Sequence, residues 1–413
     1  MLLYRSTISL IAPLLAGALA LRTLRGKEPG DAFAERLGHC PKAGRANIWV
    51  HGASNGELES ARPLIEALRA ARPDLEITVT TNTVSARKMV RGWNLAQVSA
   101  FCAPLDLRGP TKRLLASRRV VALLSLENEL WPNRLVATAA QGIPVCLVAA
   151  KVSRKSAKIW KRLPSLRKEM FQSLSFLAPQ DRGSRNRFLA LGVGADQMAP
   201  VIELKSLYQA DRIDPPALNR PRSQIWLAAS THQGEEDIML NALDALRQKG
   251  EAPLLILAPR HPKRASEIVA ILQNKGFRFA QRSLGEQPDQ STEIYLADTM
   301  GEMPMWYTSA GVTFVAGSFA DKGGHTPFEP AAYKTAILHG PSTSNFRRIY
   351  RDLDAAGGAV LVNAPSDLAD AVACALEDPN RLTERATATI QKTTDLSPVV
   401  DRILRALPVP GSR

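Results

Sequence analysis

The stretch NIWVHGASNGELESARPLIEALRAARPDLEITVTTNT, residues 47–83, decides the fold class. Its first residues, NIWV, form a short apolar run that predicts a buried strand. His51, Gly52, Ala53, Ser54, Asn55 and Gly56 are small or polar and predict a turn, and from Glu57 the apolar residues take up helical spacing as far as Arg72 and Pro73. LEITVTTNT then returns to strand character. A strand, a helix and a second strand in this order predict a parallel sheet with crossover helices.

The same alternation continues on both sides of the middle of the chain. SARKMVRGW, VVALLSLE, NRLVATAAQG and IPVCLVAAK extend it in the first half. Residues 208–223, YQADRIDPPALNRPRS, are rich in Pro and charge and lack periodicity, which marks an interdomain linker. A second alternating block follows, from QIWLAAST to AILHG, and closes on the helical DLADAVACALEDPNRLTERATATIQKT. The expected architecture is α/β: two Rossmann-like, doubly wound parallel-sheet domains enclosing a cleft, preceded by an N-terminal apolar helix. The expected boundaries are 1–27 for that helix, 28–207 and 224–407 for the two domains, 208–223 for the linker and 408–413 for a tail. Ligands of such sheets bind beyond the carboxyl ends of the strands, so residues just after strands carry the most weight.

Composition narrows the partners. The 413 residues hold 53 Lys and Arg against 39 Asp and Glu, a net charge of +14. That excess suits nucleic acid, an anionic membrane surface or an anionic substrate. A nucleic-acid binder calls for basic clusters interleaved with exposed aromatics, whereas aromatics are only 6% of this chain and its sharp motifs are acids and glycines. Cys40, Cys102, Cys146 and Cys374 form no CxxC pair, so neither a zinc ribbon nor a disulfide framework is indicated.

The N-terminus favours a membrane. Ile8 to Leu21 is an uncharged run of fourteen residues, with Arg5 before it and Arg22, Arg25 and Lys27 after it. On its own it falls short of the roughly 20 residues that span a bilayer as a helix. Ala18-Leu19-Ala20 resembles a signal-peptide cleavage site. Cations on both flanks, Pro13 within the run and unpaired cysteines favour an uncleaved helix held at an anionic leaflet. The basic run Lys151, Arg154, Lys155, Lys158, Lys161 and Arg162 is expected to serve the same surface.

Six segments at predicted strand ends can carry chemistry. In the first, His51 to Glu57, the helix start offers N–H groups to an anion and brings in the Glu57 carboxylate. A helix N-terminus lowers a carboxylate's pKa, so Glu57 works as a base only if burial opposes that effect. In the second, Glu127 and Glu129 close an apolar strand, an expensive place for acids unless they face a polar site or a cation. One of them is expected to be structural, binding backbone N–H groups at the next helix start. In the third, Ser230 or Thr231 is expected to cap a helix whose first turn holds Glu235 and Glu236. The fourth, with Pro259 and Arg260, suits a phosphate or carboxylate. The fifth and sixth are Gly-bearing loops, Asp298 to Met303 and Gly317 to Pro330, that can cradle phosphate or meet sugar hydroxyls through Glu329.

Other catalytic signatures are missing. No GxGxxG follows the first strand, and no GxxxxGK(S/T), GxSxG or HExxH occurs. Asp352-Leu353-Asp354 carries the DxD text of metal-dependent nucleotide-sugar enzymes but lies in a helical run and reads as helix surface.

On these residues the chain resembles the family of Kdo (3-deoxy-D-manno-octulosonic acid) transferases. The resemblance runs through Ala34-Glu35-Arg36-Leu37-Gly38, HGASNGE, LENELWPN, AAKVSRKSAKIWKRL, ASTHQGEE, APRHP, DTMGE, GGHTPFEPAA and HGPSTSNFRRI. It implies two Rossmann-like domains of the GT-B type and an inverting, metal-independent transfer of Kdo from CMP-Kdo to the lipid A precursor, without a cofactor and without nucleic acid. It also implies attachment to the cytoplasmic face of the inner membrane. By position, Glu57 falls where the family has its general base, and Glu127 and Lys205 where it stabilises the transition state. Pro259 and Arg260, Met300, Gly301 and Glu302, and Thr326, Pro327, Phe328 and Glu329 fall on its CMP-binding segments. The chain departs from the family at Asn55-Gly56 in place of Val-Gly, at Asn128, at Thr326 and Phe328, and around Lys205, where it reads Ile202-Glu203-Leu204-Lys205-Ser206. The readings set beside it are a related GT-B transferase using another anionic sugar or lipid acceptor, and a non-catalytic membrane-associated binding protein.

Overall fold

The structure is a computed structural model that describes residues 1–26, 28–210, 213–392 and 395–408. Lys27 of the basic flank, Asp211 and Arg212 of the linker and residues 409–413 of the tail lie outside the described residues. The chain divides into two units, Met1–Leu207 with Thr394–Arg413, and Tyr208–Thr393.

The first unit is built on six parallel strands: β1 Asn47–His51, β2 Glu76–Thr81, β3 Val98–Cys102, β4 Val120–Leu126, β5 Val145–Ala150 and β6 Phe176–Pro179. Their order is β3-β2-β1-β4-β5-β6, the doubly wound Rossmann order. β1 and β4 are buried throughout, as strands covered by helices on both faces must be. One layer of core joins Ile48, Val50 and Leu124 to Leu58, Leu64 and Leu68 of the helix Asn55–Ala71, and the other joins Trp49, Leu123 and Leu147 to Leu135, Phe171 and Phe188.

The second unit carries seven strands: β7 Ile225–Thr231, β8 Leu254–Pro259, β9 Phe279–Gln281, β10 Ile294–Leu296, β11 Val312–Val315, β12 Ala336–His339 and β13 Ala359–Leu361. They are ordered β13-β12-β11-β7-β8-β10-β9, and every pairing is parallel. In the second sheet β10 lies between β8 and the edge strand β9. Each sheet is wound outwards from a switch point, between β1 and β4 in the first and between β7 and β11 in the second. Crossover helices leave in opposite directions there and open a crevice beyond the strand ends.

Two expected boundaries are corrected. The helix Ser397–Ala406 belongs to the first unit, because Val399, Ile403 and Leu407, spaced one helical turn apart, complete the core beside Leu58 and Leu64. Much of the expected linker is fastened to the second unit. Leu218 is buried in that unit's core, the Arg220 guanidinium donates to the carbonyls of Ala252 and Gln290, and Arg222 donates to those of Ala310 and Tyr333. Pro and charge hide these contacts in the sequence because a segment tied down by carbonyl acceptors needs no hydrophobic periodicity. Asp352 and Asp354 lie on the helix Arg347–Ala356, where Asp352 pairs with Arg348 and Arg351 and Asp354 accepts from His339 Nε2 at 2.9 Å.

The N-terminal helix is longer than its apolar run. It extends over Leu2–Leu24 and continues through Pro13. Within Tyr4–Leu24 an 18-residue window reaches a mean hydropathy of 1.7, and none of it is buried. At about 1.5 Å per residue the helix is as long as a bilayer's hydrocarbon core, although its uncharged run is still the fourteen residues from Ile8 to Leu21. Its ends are tied to the first unit. The Tyr4 hydroxyl donates to Asp106 at 2.7 Å, the Met1 amino group pairs with Glu169, and Arg22 pairs with Glu28 at 3.1 Å.

Buried ion pairs hold the entry to the first domain. Glu35, only 4% exposed, receives Arg87 at 2.8 Å, Arg91 at 3.1 Å and the Cys102 N–H at 2.6 Å. Removing one partner of such a cluster leaves the other charge buried without compensation. Glu35→Ala is therefore expected to lower unfolding free energy by about 3 kcal/mol, read as a fall in the urea midpoint at unchanged slope.

Candidate active site

At the end of β1 the chain turns into its helix over a close approach. A Cβ on Gly52 would lie 2.9 Å from Leu58 Cδ2 and 3.2 Å from Leu126 Cδ1, so a larger residue there would have to push these two side chains aside. Ser54 caps the helix by accepting from the Glu57 N–H at 3.5 Å. The Glu57 carboxylate folds back and accepts from the Ala53 N–H at 2.6 Å. Burial pushes the Glu57 carboxyl up to about 7; the Ala53 N–H opposes this, the charges of Glu127 and Glu129 add to it, and Lys205 opposes it. Burial thus outweighs the helix N-terminus, and Glu57 changes charge near neutrality.

The loop after β4 meets this turn at the switch point of the sheet. Glu127 is buried and left-handed, at φ 46°, and its backbone is fixed on both sides by bonds to Val148 and Lys151. Its carboxylate pairs with Lys205 Nζ at 3.7 Å. Lys205 lies in the short 3-10 turn Leu204–Leu207, so the two residues far apart in sequence form one ion pair. Glu203 accepts from Gln180 Nε2 at 2.7 Å, and burial raises its pKa.

Glu129 is the structural member of its pair, by a different route from the expected one. Its carboxylate accepts from His51 Nε2 at 2.9 Å, Trp131 Nε1 at 2.5 Å and Asn82 Nδ2 at 3.2 Å. Burial acts to raise its pKa, but the His51 and Trp131 hydrogen bonds win and hold it at about 2. Burial draws His51 down to about 4, so at neutral pH it is an uncharged donor to Glu129. The helix start after Pro132 is capped instead by Asp106, which accepts from the N–H groups of Asn133 at 3.0 Å and Arg134 at 2.7 Å. Beside Glu129 opens a cavity of about 440 Å³ lined by Trp131, Trp160, Lys151, Ser153 and Ser156. The two tryptophans stand in the blocks LENELWPN and AAKVSRKSAKIWKRL, and only the fold sets them around one space.

In the second unit the expected cap after β7 is replaced. The helix Glu235–Gln248 starts at Gly234, φ 90°, with no side-chain cap. The Thr231 hydroxyl donates to Glu236 at 2.9 Å, and Arg264 closes on the same carboxylate at 2.7 Å. Glu235 is 1% exposed and accepts from the N–H groups of His232, Gly317, Ser318, Phe319 and Ala320, at 2.8 to 3.3 Å. One carboxylate thereby shapes the loop after β11.

The residues singled out by resemblance in this unit fall around the strand ends. Pro259 ends β8, and Arg260 is exposed, its N–H bonded to the Thr231 carbonyl at 3.0 Å. Met300 and Gly301 are exposed, Gly301 at φ 84°. Glu302 pairs with Arg282 at 2.8 Å and accepts from the Thr299 hydroxyl; the Arg282 bond comes first in holding its pKa down. Asp298 accepts from Ser283 and Gln281 and stiffens the same loop. Thr326 accepts from the Phe328 N–H at 3.3 Å, and Pro327 precedes the short helix Phe328–Ala332. The Phe328 side chain is buried against Val315, Ile349 and Tyr350, while Glu329 is half-buried at the helix start. His232 and His325, passed over because the histidines lack a metal-binding spacing, lie with Nε2 atoms 2.9 Å apart.

Two Rossmann-like units with a near-neutral carboxylate at one switch point and Gly-rich loops beside cations at the other define a GT-B glycosyltransferase class of fold. Residues 31–207 match the family model described as 3-deoxy-D-manno-octulosonic-acid transferase (kdotransferase). The chain is 30% identical over 404 residues to 3-deoxy-D-manno-octulosonic acid transferase of Haemophilus influenzae, covering 92% of each. It is 34% identical over 337 residues to that of Bordetella pertussis, covering 79% of each. A solved structure of a putative UDP-N-acetylglucosamine 2-epimerase from Listeria monocytogenes aligns with 88% of this chain and 95% of its own, with TM-score 0.58 and 15% identity, and shares the fold alone. The chain belongs to the Kdo transferase family.

The raised Glu57 pKa has a sign for stability. A carboxyl whose folded pKa of about 7 exceeds its ordinary 4.5 stabilises the fold below the lower value, and that contribution is lost as pH rises through the higher one. Glu57→Gln is expected to raise the unfolding free energy at about pH 8, by on the order of 1 kcal/mol after solvent screening, and to leave it unchanged at about pH 4. Urea titrations at the two pH values check this.

Proposed function

We propose that the protein transfers Kdo from CMP-Kdo to a sugar hydroxyl of the lipid A precursor, lipid IVA, with inversion and without a metal ion. The observation that carries this reading is the Glu57 carboxyl, lifted to about 7 at the switch point of the first sheet, beside the Glu127–Lys205 pair. Transfer to a hydroxyl needs a base with a pKa near the working pH. Glu57 takes the proton of the acceptor hydroxyl as its oxygen attacks the anomeric carbon. The bond from that carbon to the phosphate oxygen breaks, its electron pair leaves with CMP, and direct displacement inverts the centre. Lys205, fixed by Glu127, supplies positive charge for the negative charge that develops.

The second unit holds the nucleotide in this reading. Arg260 meets the phosphate with its exposed guanidinium, its own backbone being fixed by the Thr231 carbonyl and by Pro259 before it. Met300, Gly301 and Glu302, and Thr326, Pro327, Phe328 and Glu329, line the CMP site, Phe328 through its backbone because its ring is buried. Glu329 is the partner for ribose hydroxyls.

We further propose attachment to the anionic cytoplasmic face of the inner membrane. The helix Leu2–Leu24 exposes Leu10, Leu14 and Leu24 and keeps hydrogen bonds and ion pairs to the first unit at both ends, which supports a retained anchor over a cleaved signal peptide. Arg22, Arg25 and the exposed cations from Arg154 to Arg162 suit anionic head groups and a phosphorylated acceptor.

The test is transfer by purified protein with CMP-Kdo and tetraacylated precursor, read by product mass. Glu57→Ala is expected to lower kcat by at least about 100-fold while CMP-Kdo binding persists. Because Glu57 serves as a base only when ionised, wild-type kcat/KM should fall as pH drops through about 7. An active Glu57→Ala enzyme would remove the base assignment, and no transfer by the wild type would remove the whole reading.

A further inference from the structure

Between Ile8 and Leu21 the N-terminal helix carries a single polar side chain, Ser9, so it has no polar face. Its long faces nevertheless meet different surroundings. Tyr4, Ile8, Ala12, Ala16, Leu19 and Thr23 are half-buried and recur every three or four residues, which puts them on one face. Tyr4 belongs to that face and its hydroxyl reaches Asp106 at 2.7 Å, so this is the face turned to the first unit. Leu10, Leu14, Leu21 and Leu24 fall on the other side, centred about half a turn away. They are 81%, 75%, 45% and 84% exposed. A helix that is apolar all round needs apolar surroundings all round, and the first unit supplies them on one side only.

Both ends of the helix are held by buried groups of the same unit. Near its start, Asp106 takes the Tyr4 hydroxyl together with the N–H groups of Asn133 and Arg134, and Arg5 Nε donates to Asn133 Oδ1 at 3.4 Å. Near its finish, Arg22 pairs at 3.1 Å with Glu28, which is buried and also pairs with Arg36 at 3.3 Å. Tyr4 and Arg22 are about 27 Å apart along the axis. A helix fastened to one body at points this far apart lies along that body. It cannot also cross a bilayer, because crossing sets its ends on opposite sides of about 30 Å of hydrocarbon while the unit stays on one side.

Charge decides what covers the open face. Arg5 precedes it, Arg22 and Arg25 follow it, and residues 1–26 contain no Asp or Glu. A second copy of the helix would set these cations against their own kind, whereas anionic head groups neutralise them. We propose that Leu2–Leu24 is an in-plane anchor that sinks Leu10, Leu14, Leu21 and Leu24 into one leaflet of an anionic bilayer and keeps both of its ends on the side of the first unit. The proposal rests on the membrane attachment read above and specifies its topology. The face away from lipid is covered by protein rather than water, which is why it carries no charge. Ile159 and Leu163, exposed among Lys155, Lys158, Lys161 and Arg162, repeat the combination of apolar and cationic side chains and offer a second contact with the same leaflet.

The experiment reconstitutes the full-length protein from detergent into mixed phosphatidylethanolamine and phosphatidylglycerol vesicles. The exposed Cys374 is replaced by Ser, and a nitroxide is carried by Leu10→Cys, Leu14→Cys or Leu21→Cys, three positions whose side chains touch little in the protein. Accessibility to oxygen and to a water-soluble nickel complex reads the depth of each label. All three labels are expected at one depth, about 5 to 10 Å below the head groups. Vesicles of phosphatidylcholine alone are expected to bind the protein at least about tenfold more weakly. A label at Leu14 near the bilayer centre, about 15 Å deep, with those at Leu10 and Leu21 shallower on either side of it, means a crossing helix; it overturns the in-plane arrangement and leaves membrane attachment standing. Equal binding to neutral vesicles overturns the anionic partner. Labels shielded from both reagents, with spin–spin broadening that fades when unlabelled protein is added, place a second copy on the face and overturn the proposal. If the protein binds neither kind of vesicle, the attachment reading falls with it.

Discussion

A parallel sheet wound in both directions from its middle has one pair of strands whose crossovers leave on opposite faces, and a crevice opens beyond the ends of that pair. In the first sheet the pair is β1 and β4, in the second β7 and β11. The Glu57 turn and the Glu127 loop are the ends of β1 and β4, and His232 and the Gly317 loop are the ends of β7 and β11. The rest of each unit places these four loops. Apolar strands bury both sheet faces, and the helices they call for leave the strand ends to polar residues.

Most of the acids at those ends are occupied by the protein itself. Glu129 is taken up by His51, Asn82 and Trp131, Glu235 by the N–H groups of the loop after β11, and Glu236 by Thr231 and Arg264. Several donors on one buried carboxylate hold the loops around it in place. Glu57 differs because it has one backbone donor and substantial burial, and two neighbouring acids oppose its ionisation. That contrast in hydrogen bonding separates a carboxylate that can exchange a proton near neutral pH from those that organise the site.

The basic balance of the chain is also divided by role. Arg36, Arg87, Arg118 and Arg134 are buried and serve internal carboxylates and carbonyls. Arg154, Lys155, Lys158, Lys161 and Arg162 are exposed on one short helix and its C-terminal cap. The net charge of +14 is therefore no measure of surface charge until burial is known, and the exposed part is what an anionic partner meets.

Hydrophobic periodicity determined two doubly wound parallel sheets, because strand and helix spacing follow from local geometry. Motif text placed Glu57, Arg260, Gly301 and Glu329 at strand ends for the same reason, and family membership followed from ordered blocks along the chain. What only tertiary structure decided concerns pairings between distant residues. These include the ion pair of Lys205 with Glu127, the choice of Asp106 over Glu129 as cap, the meeting of His232 with His325, and the return of Val399, Ile403 and Leu407 to the first core. No local pattern encodes such contacts. A carboxylate at a helix start looks the same in sequence whether five N–H groups hold it or burial lifts its pKa, and only the folded surroundings set which occurs.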